Sequence, residues 1–291
     1  MQLRFSKAFY GRLVIFSSTF CFYLSTVFAR WATSKEVGLS SAFLTFGRFF
    51  LGFFLICGLL LLKRQRPRPR QYHILFGRAV ANTFAVFFLY KAVEMTTVAQ
   101  ANILNMTYPM FIALISWFVF RAQRDILAVA MAFIAFGGIV LVLSPAALRF
   151  EGNSLWGLAS GVISAIAVIF LKLAREQNDT ETILLILFSV GGILMFAGFH
   201  GQFHIPNAKE LFYLVGCGSM GILGQYLITL GYRYVSAVEG GIISSFLIFL
   251  AAIFGPVMTA DPALAFSGWL GAIIIFSTNL YFIFRSAGSG R

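Results

Sequence analysis

Positions free of Asp, Glu, Lys and Arg gather into long unbroken runs: 13–29, 95–120, 126–148, 152–171, 182–208, 211–232, 240–260 and 262–284. Each is 17 residues or longer, and about 20 apolar residues carry a helix across the hydrocarbon of a bilayer. Two further runs, 37–62 and 71–90, are interrupted only by Arg48 and Arg78. The pattern predicts ten transmembrane helices that use nearly the whole chain and leave no segment for a separate soluble domain. One run contains "AQANILNMTYPMF", residues 99–111, with two asparagines, a tyrosine and a proline. Such groups are costly against lipid, so this helix faces protein or water.

The chain also repeats itself. Setting "AVEMTTVAQANIL" (92–104) over "GYRYVSAVEGGII" (231–243) pairs Thr97 with Ser236, Gln100 with Glu239 and Ile103 with Ile242, an offset of 139. Both copies read as a helix end, a Thr/Ser turn and the start of a long apolar helix. The cationic ends of the first and sixth spans, Arg30 and Lys172, pair at an offset of 142. Five spans per half is an odd number, so the halves, residues 1–148 and 149–291, insert with opposite orientation. The expected fold class is an all-α integral membrane protein, ten transmembrane helices forming two inverted five-helix repeats.

Composition agrees: 59% of residues are hydrophobic and 11% charged, with a mean hydropathy of +0.87, too little polar surface for a soluble domain. The net charge of +12 is a matter of topology. With the N-terminus in the cytoplasm, the inside segments hold 15 Lys and Arg and the outside segments 5, which follows the positive-inside rule with both termini cytoplasmic. "KRQRPRPRQ" (63–71) then anchors a cytoplasmic turn, and no nucleic-acid partner is expected. The first span resembles a signal peptide, with Arg4, Lys7 and Arg12 before an apolar run ending "VFA", but its place in the repeat makes it a retained helix. Cys21, Cys57 and Cys217 fall in separate apolar runs and imply neither disulfides nor a metal cluster.

Several motifs are decoys. "GCGSMG" (216–221) matches the dinucleotide fingerprint but sits mid-span, where small residues allow close helix packing, as in "GLASG" (157–161). "HGQFH" (200–204) has no third ligand nearby. Asp125, Asp179 and Asp261 lie singly at expected interfaces. No catalytic residue, cofactor or metal is expected.

The segments around the repeat resemble the EamA-type repeats of the drug/metabolite transporter superfamily. "LYKAVEMTTVAQANILNMTYPMFIALIS" (89–116) is similar to a family element in which a helix end and a short Thr/Ser-Ala turn lead into a helix with a mid-span proline, here Pro109. The glycines of "AFIAFGGIVLVL" (132–143) and "GWLGAIII" (268–275) are similar to the closing helix of each repeat, and Arg48 matches an arginine common in the family. Two departures stand out. "FRAQRD" and "MTADPA" lack the glutamate usual after the fourth helix of each half, leaving Gln123 and Asp261 nearby, and Phe22-Tyr23 replaces a frequent Trp-Gly pair. The resemblance implies a transporter of amino acids, related metabolites or amphipathic drugs.

Candidate substrate-binding residues follow from polar groups at comparable depth in the two halves. Asn102, Asn105 and Tyr108 advance by threes and spread over about 120° of one helix side. Asn82 and Tyr90 share a face of span three; Gln225, Tyr226 and Thr229 cluster on span eight; Ser244 and Ser245 lie near mid-depth of span nine. Tyr23 joins the set from span one. Arg48 carries a charge that costs about 2.5 kcal/mol or more inside a span unless it snorkels or finds a partner, and no acid shares its span. With Arg48 as the cavity's cation, Lys91 as a second candidate and no central acid, the substrate should carry a carboxylate. Pro109 is expected to kink and gate its helix.

The expected function is secondary transport by alternating access of a small amino-acid-like or amphipathic metabolite across the cytoplasmic (inner) membrane. The alternatives are a membrane-embedded lipid-group transferase and a non-transporting scaffold. Membrane lipid and a small-molecule substrate are the expected partners, the chain being a monomer or homodimer. Reporter fusions should report both termini as cytoplasmic and the 201–208 loop as external; a cytoplasmic signal from that loop would overturn the topology.

Overall fold

The computed structural model describes residues 7–119, 152–235 and 237–288, with residues 134, 137, 138 and 140–142 between them. The span expected at 126–148 thus lies almost wholly outside the described residues. Helices α1 (Lys7–Ala32), α2 (Ser41–Leu62) and α3 (Tyr72–Met95) are unbroken, and the next span is divided into α4 (Val98–Asn105) and α5 (Tyr108–Val119). The second half repeats this: α6 (Leu155–Gln177), α7 (Thr180–Phe199) and α8 (Ala208–Gly231) are followed by the divided pair α9 (Ala237–Ser244) and α10 (Leu247–Met258), then α11 (Phe266–Gly288). Among the described residues, α1, α2, α3, α6, α7 and α8 are the six helices long and apolar enough to cross a membrane. The described residues are thus all-helical and multi-pass, and two of the apolar runs expected as continuous spans are broken helices.

The helix starts follow local chemistry. Ser40, Thr97 and Asp179 accept hydrogen bonds from the backbone N–H three residues on, and Asn207 with Glu210 forms a capping box, so otherwise orphaned donors are satisfied at the ends of α2, α4, α7 and α8.

The offset of 139 seen in the sequence recurs at the two breaks: the first pieces end at 105 and 244, and the second pieces begin at 108 and 247. Packing obeys the same relation. Helix α1 packs on α8 as α3 packs on α6, α4 meets α6 as α9 meets α1, and α2 meets α7, its own counterpart. Direction can be read from the contacts. Arg30 donates to the Val93 carbonyl, which puts the last turns of α1 and α3 together, so these two helices are parallel. Phe88 packs on Trp156 while Gly77 lies against Phe170, so α3 and α6 are antiparallel. Helix α6 therefore runs opposite to α1, and the two halves are inverted.

The repeat closes on itself where α2 crosses α7. Phe49 and Phe188, 139 apart, meet edge to face at 5.9 Å between centroids. A Cβ at Gly52 would stand 2.7 Å from Phe188, and one at Gly191 would stand 2.5 Å from Phe49. Each ring fills the gap left by the other half's glycine, which is how small residues let membrane helices approach.

Pro109, expected to kink a continuous helix, is instead the second residue of α5. A first-turn proline forfeits no intrahelical hydrogen bond. The break begins earlier, at Met106 and Thr107, and its counterpart at Ser245 and Phe246 contains no proline. Hydroxyls attend both breaks: Thr107 Oγ1 donates to the Leu104 carbonyl at 2.6 Å and Ser245 Oγ to the Gly241 carbonyl at 3.1 Å. Such side-chain bonds compete with the backbone ladder.

Helix α6 comes against the first break through Gly161, where an added Cβ would stand 2.6 Å from Thr107 Oγ1 and 2.9 Å from the Leu104 carbonyl oxygen. Gly161→Ala should lower the unfolding temperature of the detergent-purified protein, since overpacking costs about 1–3 kcal/mol against at most about 1 kcal/mol gained in helix propensity. Gly192→Ala, whose Cβ meets nothing within 4 Å, should leave it unchanged or slightly raise it. Equal behaviour of the two variants would remove the close-approach role of Gly161.

Candidate functional site

Between the two halves lies a cavity of about 100 Å³. On the scale of waters, each needing roughly 10–15 Å³ so measured, this is room for several waters or one small ligand. The first half contributes Arg48 from α2, Asn82 from α3, Asn102 and Asn105 from α4 and Tyr108 from α5; the second contributes Gln225 from α8 and Ser244 from α9. The structure thus brings seven of the sequence candidates around one space. Aliphatic groups such as Val86, Leu89 and Ile228 supply much of the remaining wall.

Arg48 is 2% exposed. Its Nη1 donates to the Tyr90 hydroxyl at 3.1 Å, Tyr90 and Ser25 Oγ are 2.7 Å apart, and Ser25 donates to the Cys217 carbonyl at 2.8 Å. With Ser25 donating onward, Tyr90 donates to Ser25, and one consistent chain of bonds runs from α2 through α3 and α1 to α8. Tyr90 therefore stands behind Arg48 and holds it, outside the cavity lining. The guanidinium lies 5.6 Å from the centre of the Phe22 ring, within cation–π range. Gly221 makes room for it: a Cβ there would stand 2.7 Å from Arg48 Nε. The glycines of "GCGSMG" do pack helices, and one of them seats this arginine.

Neighbouring polar groups divide between structural and free. Asn105 Nδ2 donates to Ser160 Oγ and Ser164 Oγ at 2.7 and 3.1 Å, and Asn102 Nδ2 to Thr26 Oγ1 and the Val98 carbonyl at 3.0 and 2.8 Å. Both asparagines thus tie helices together. Asn82 Nδ2, Asn102 Oδ1 and Arg48 Nε, by contrast, are buried with no hydrogen-bond partner among the described residues. Each such group costs about 1–3 kcal/mol.

Two candidates fall elsewhere. The Tyr226 hydroxyl donates to Glu181 Oε1 at 3.2 Å, beside the Lys63–Glu181 ion pair of 2.6 Å. Successive helical residues point about 100° apart, so with Gln225 facing the cavity Tyr226 turns toward α7. Tyr23, next to cavity-lining Phe22, turns toward α10 for the same reason and packs on Phe254 at 6.4 Å. Lys91 is engaged at the end of α3 in a 2.9 Å ion pair with Glu94 and adds no charge to the cavity. Sequence reasoning passed over Arg78, which lines the cavity and is 3% exposed. Its signal was the charge interrupting the 71–90 run.

Both ends of the cavity are spanned by bonds between the halves. At the Arg30 end, Asp261 lies 3.1 Å from Arg30 Nη2 and accepts the Val98 N–H at 2.7 Å, and Trp31 Nε1 donates to the Met258 carbonyl at 3.0 Å. At the opposite end Lys63 pairs with Glu181, which holds the lysine pKa above its usual value, and Asn178 exchanges bonds of 2.8 and 3.1 Å with the Arg70 backbone. The cations paired in the sequence at an offset of 142 do corresponding work: Arg30 donates to the Val93 carbonyl and Lys172 to the Tyr232 and Val235 carbonyls.

Inverted halves, a broken helix in each and a polar cavity between them define a class of membrane protein built like secondary transporters. The sequence matches the EamA-like transporter family over residues 9–144 and 153–283, and the chain belongs to that family. An uncharacterised transporter of Helicobacter pylori is 26% identical over 174 residues, covering 56% of this chain and 57% of the relative. An uncharacterised membrane protein of Saccharomyces cerevisiae is 23% identical over 75% of this chain and 58% of its own length. An uncharacterised transporter of Archaeoglobus fulgidus is 26% identical over 52% and 55%. The matches span little more than half the length of these curated relatives. A solved crystal structure of a protein 17% identical superposes with a TM-score of 0.68 over 97% of this chain and 99% of the other, a likeness of fold.

Proposed function

We propose that the protein is a secondary transporter that carries a small carboxylate-bearing metabolite across the cytoplasmic membrane by rocking its inverted halves about the central cavity. The observation that carries this reading is the placement of Arg48: a buried guanidinium whose Nε has no partner among the described residues, in a cavity between the halves, with no acid among the described residues that line it. A buried cation needs a counter-charge, and a carboxylate brought in from solution supplies one. Phe22 offers apolar contact to a side chain, while Tyr108 and Ser244 offer hydroxyls. The bonds at the two ends support alternating access, because breaking either set alone opens the cavity to one side. Both termini are cytoplasmic in this proposal, which puts the Lys63 end inside. A membrane-embedded transferase would need clustered carboxylates or histidines at the site, and the described residues that line the cavity include neither.

Counterflow in proteoliposomes tests the reading. Arg48→Lys keeps the charge but loses the planar fork, and Arg48→Gln loses both. A hydrogen bond to a charged group is worth about 1.5–3 kcal/mol, so affinity should fall by about 10- to 100-fold with Lys and transport should vanish with Gln, while both variants still fold. Competition by the carboxamide equal to that by the parent acid, or preference for a pure cation, would contradict the substrate assignment.

A further inference from the structure

Arg78 is the buried cation that this transport reading does not use. It shares the cavity with Arg48, and none of the ion pairs among the described residues includes it. Its Nε has no hydrogen-bond partner there. Arg48, a like charge lining the same cavity, repels it. Asn82 follows one turn later on the same helix face, four residues on, and its Nδ2 is also without a partner. Three buried N–H donors, on Arg48, Arg78 and Asn82, therefore surround one space.

One carboxylate offsets one of the two guanidiniums and leaves the other buried and repelled. A ligand with two negative charges meets both, and its oxygens provide acceptors for all three donors. Arginine forks match carboxylate and phosphate alike. Resting on the transport reading of this same cavity, we propose that the substrate is a small dianion, a dicarboxylate or a phosphate monoester, held jointly by Arg48 and Arg78 with Asn82 as a further donor. A cavity of about 100 Å³ suits a compact dianion.

Binding to the purified full chain separates the two readings. The probes are succinate against its monoamide, succinamate, and glycerol 3-phosphate against its monoanionic methyl diester, each titrated calorimetrically near neutral pH. At least one dianion should bind about tenfold or more tightly than its monoanionic partner, as one added charge-assisted contact implies. The arm that shows the ratio names the source of the charge. Arg78→Gln should bring the ratio to about one, and Arg78→Lys should keep most of the preference. Arg48→Gln should weaken both members of the pair. If monoanions bind through Arg48 but the wild-type ratio is near one, or if Arg78→Gln leaves a large ratio intact, the dianion assignment falls while the carboxylate reading stands. If no anion binds the wild type, both fall. Should the Gln variant fail to fold, the wild-type ratio and the Lys variant decide.

Discussion

A charge withdrawn from water inside a membrane is costly until it is met, and this fold buries two guanidiniums around one cavity with no carboxylate among the described residues that line it. Much of the surrounding architecture serves to hold that arrangement. Gly221 gives Arg48 a seat against α8, and the chain through Tyr90, Ser25 and the Cys217 carbonyl fixes its orientation. These contacts come from four helices of both halves, so the position of the charge depends on how the halves sit together. A site built that way is sensitive to their relative motion, which is what a carrier requires.

Symmetry explains why the cavity lies where it does. A helix broken in mid-membrane exposes backbone groups that lipid cannot satisfy, so both breaks must be buried in protein or face a wet space. Thr107, at the first break, and Ser244 with Ser245, at the second, are all buried. The reciprocal Phe49–Gly191 and Phe188–Gly52 contacts make a junction between equivalent helices. Charged and polar bonds join the halves at either end, Arg30 with Asp261 and Lys63 with Glu181. Unlike the apolar contacts between them, these charged groups can exchange their partners for water, as the proposed alternation of the two ends requires.

The repeat was legible because its offset of 139 is carried by residue type and spacing, and the divided helices keep that offset at their breaks. Most of the polar candidates were legible too, since a polar group in an apolar run has few places to go. What failed was direction around a helix. Gln225 and Tyr226 are neighbours in sequence but face different partners, and only packing decides which faces the cavity. Lys91 carried charge at a suitable depth but found Glu94 three residues on. The break near Pro109 was assigned to the proline, although the second half breaks at the corresponding place without one. Arg78 was visible as an interruption, yet its place in one cavity with Arg48 is a tertiary fact that joins α2 to α3.

The claim on which the account rests is that the two ends of the cavity open in alternation. Spin-label distances test it directly, with one pair at exposed Lys35 and Ala260 near the Asp261 end and another at exposed Gln65 and Glu176 near the Glu181 end. In a transport-competent protein lacking its native cysteines, the account predicts two populations in which one distance lengthens as the other shortens, with substrate shifting their balance. Both distances fixed during sustained counterflow, or both lengthening together, would contradict it.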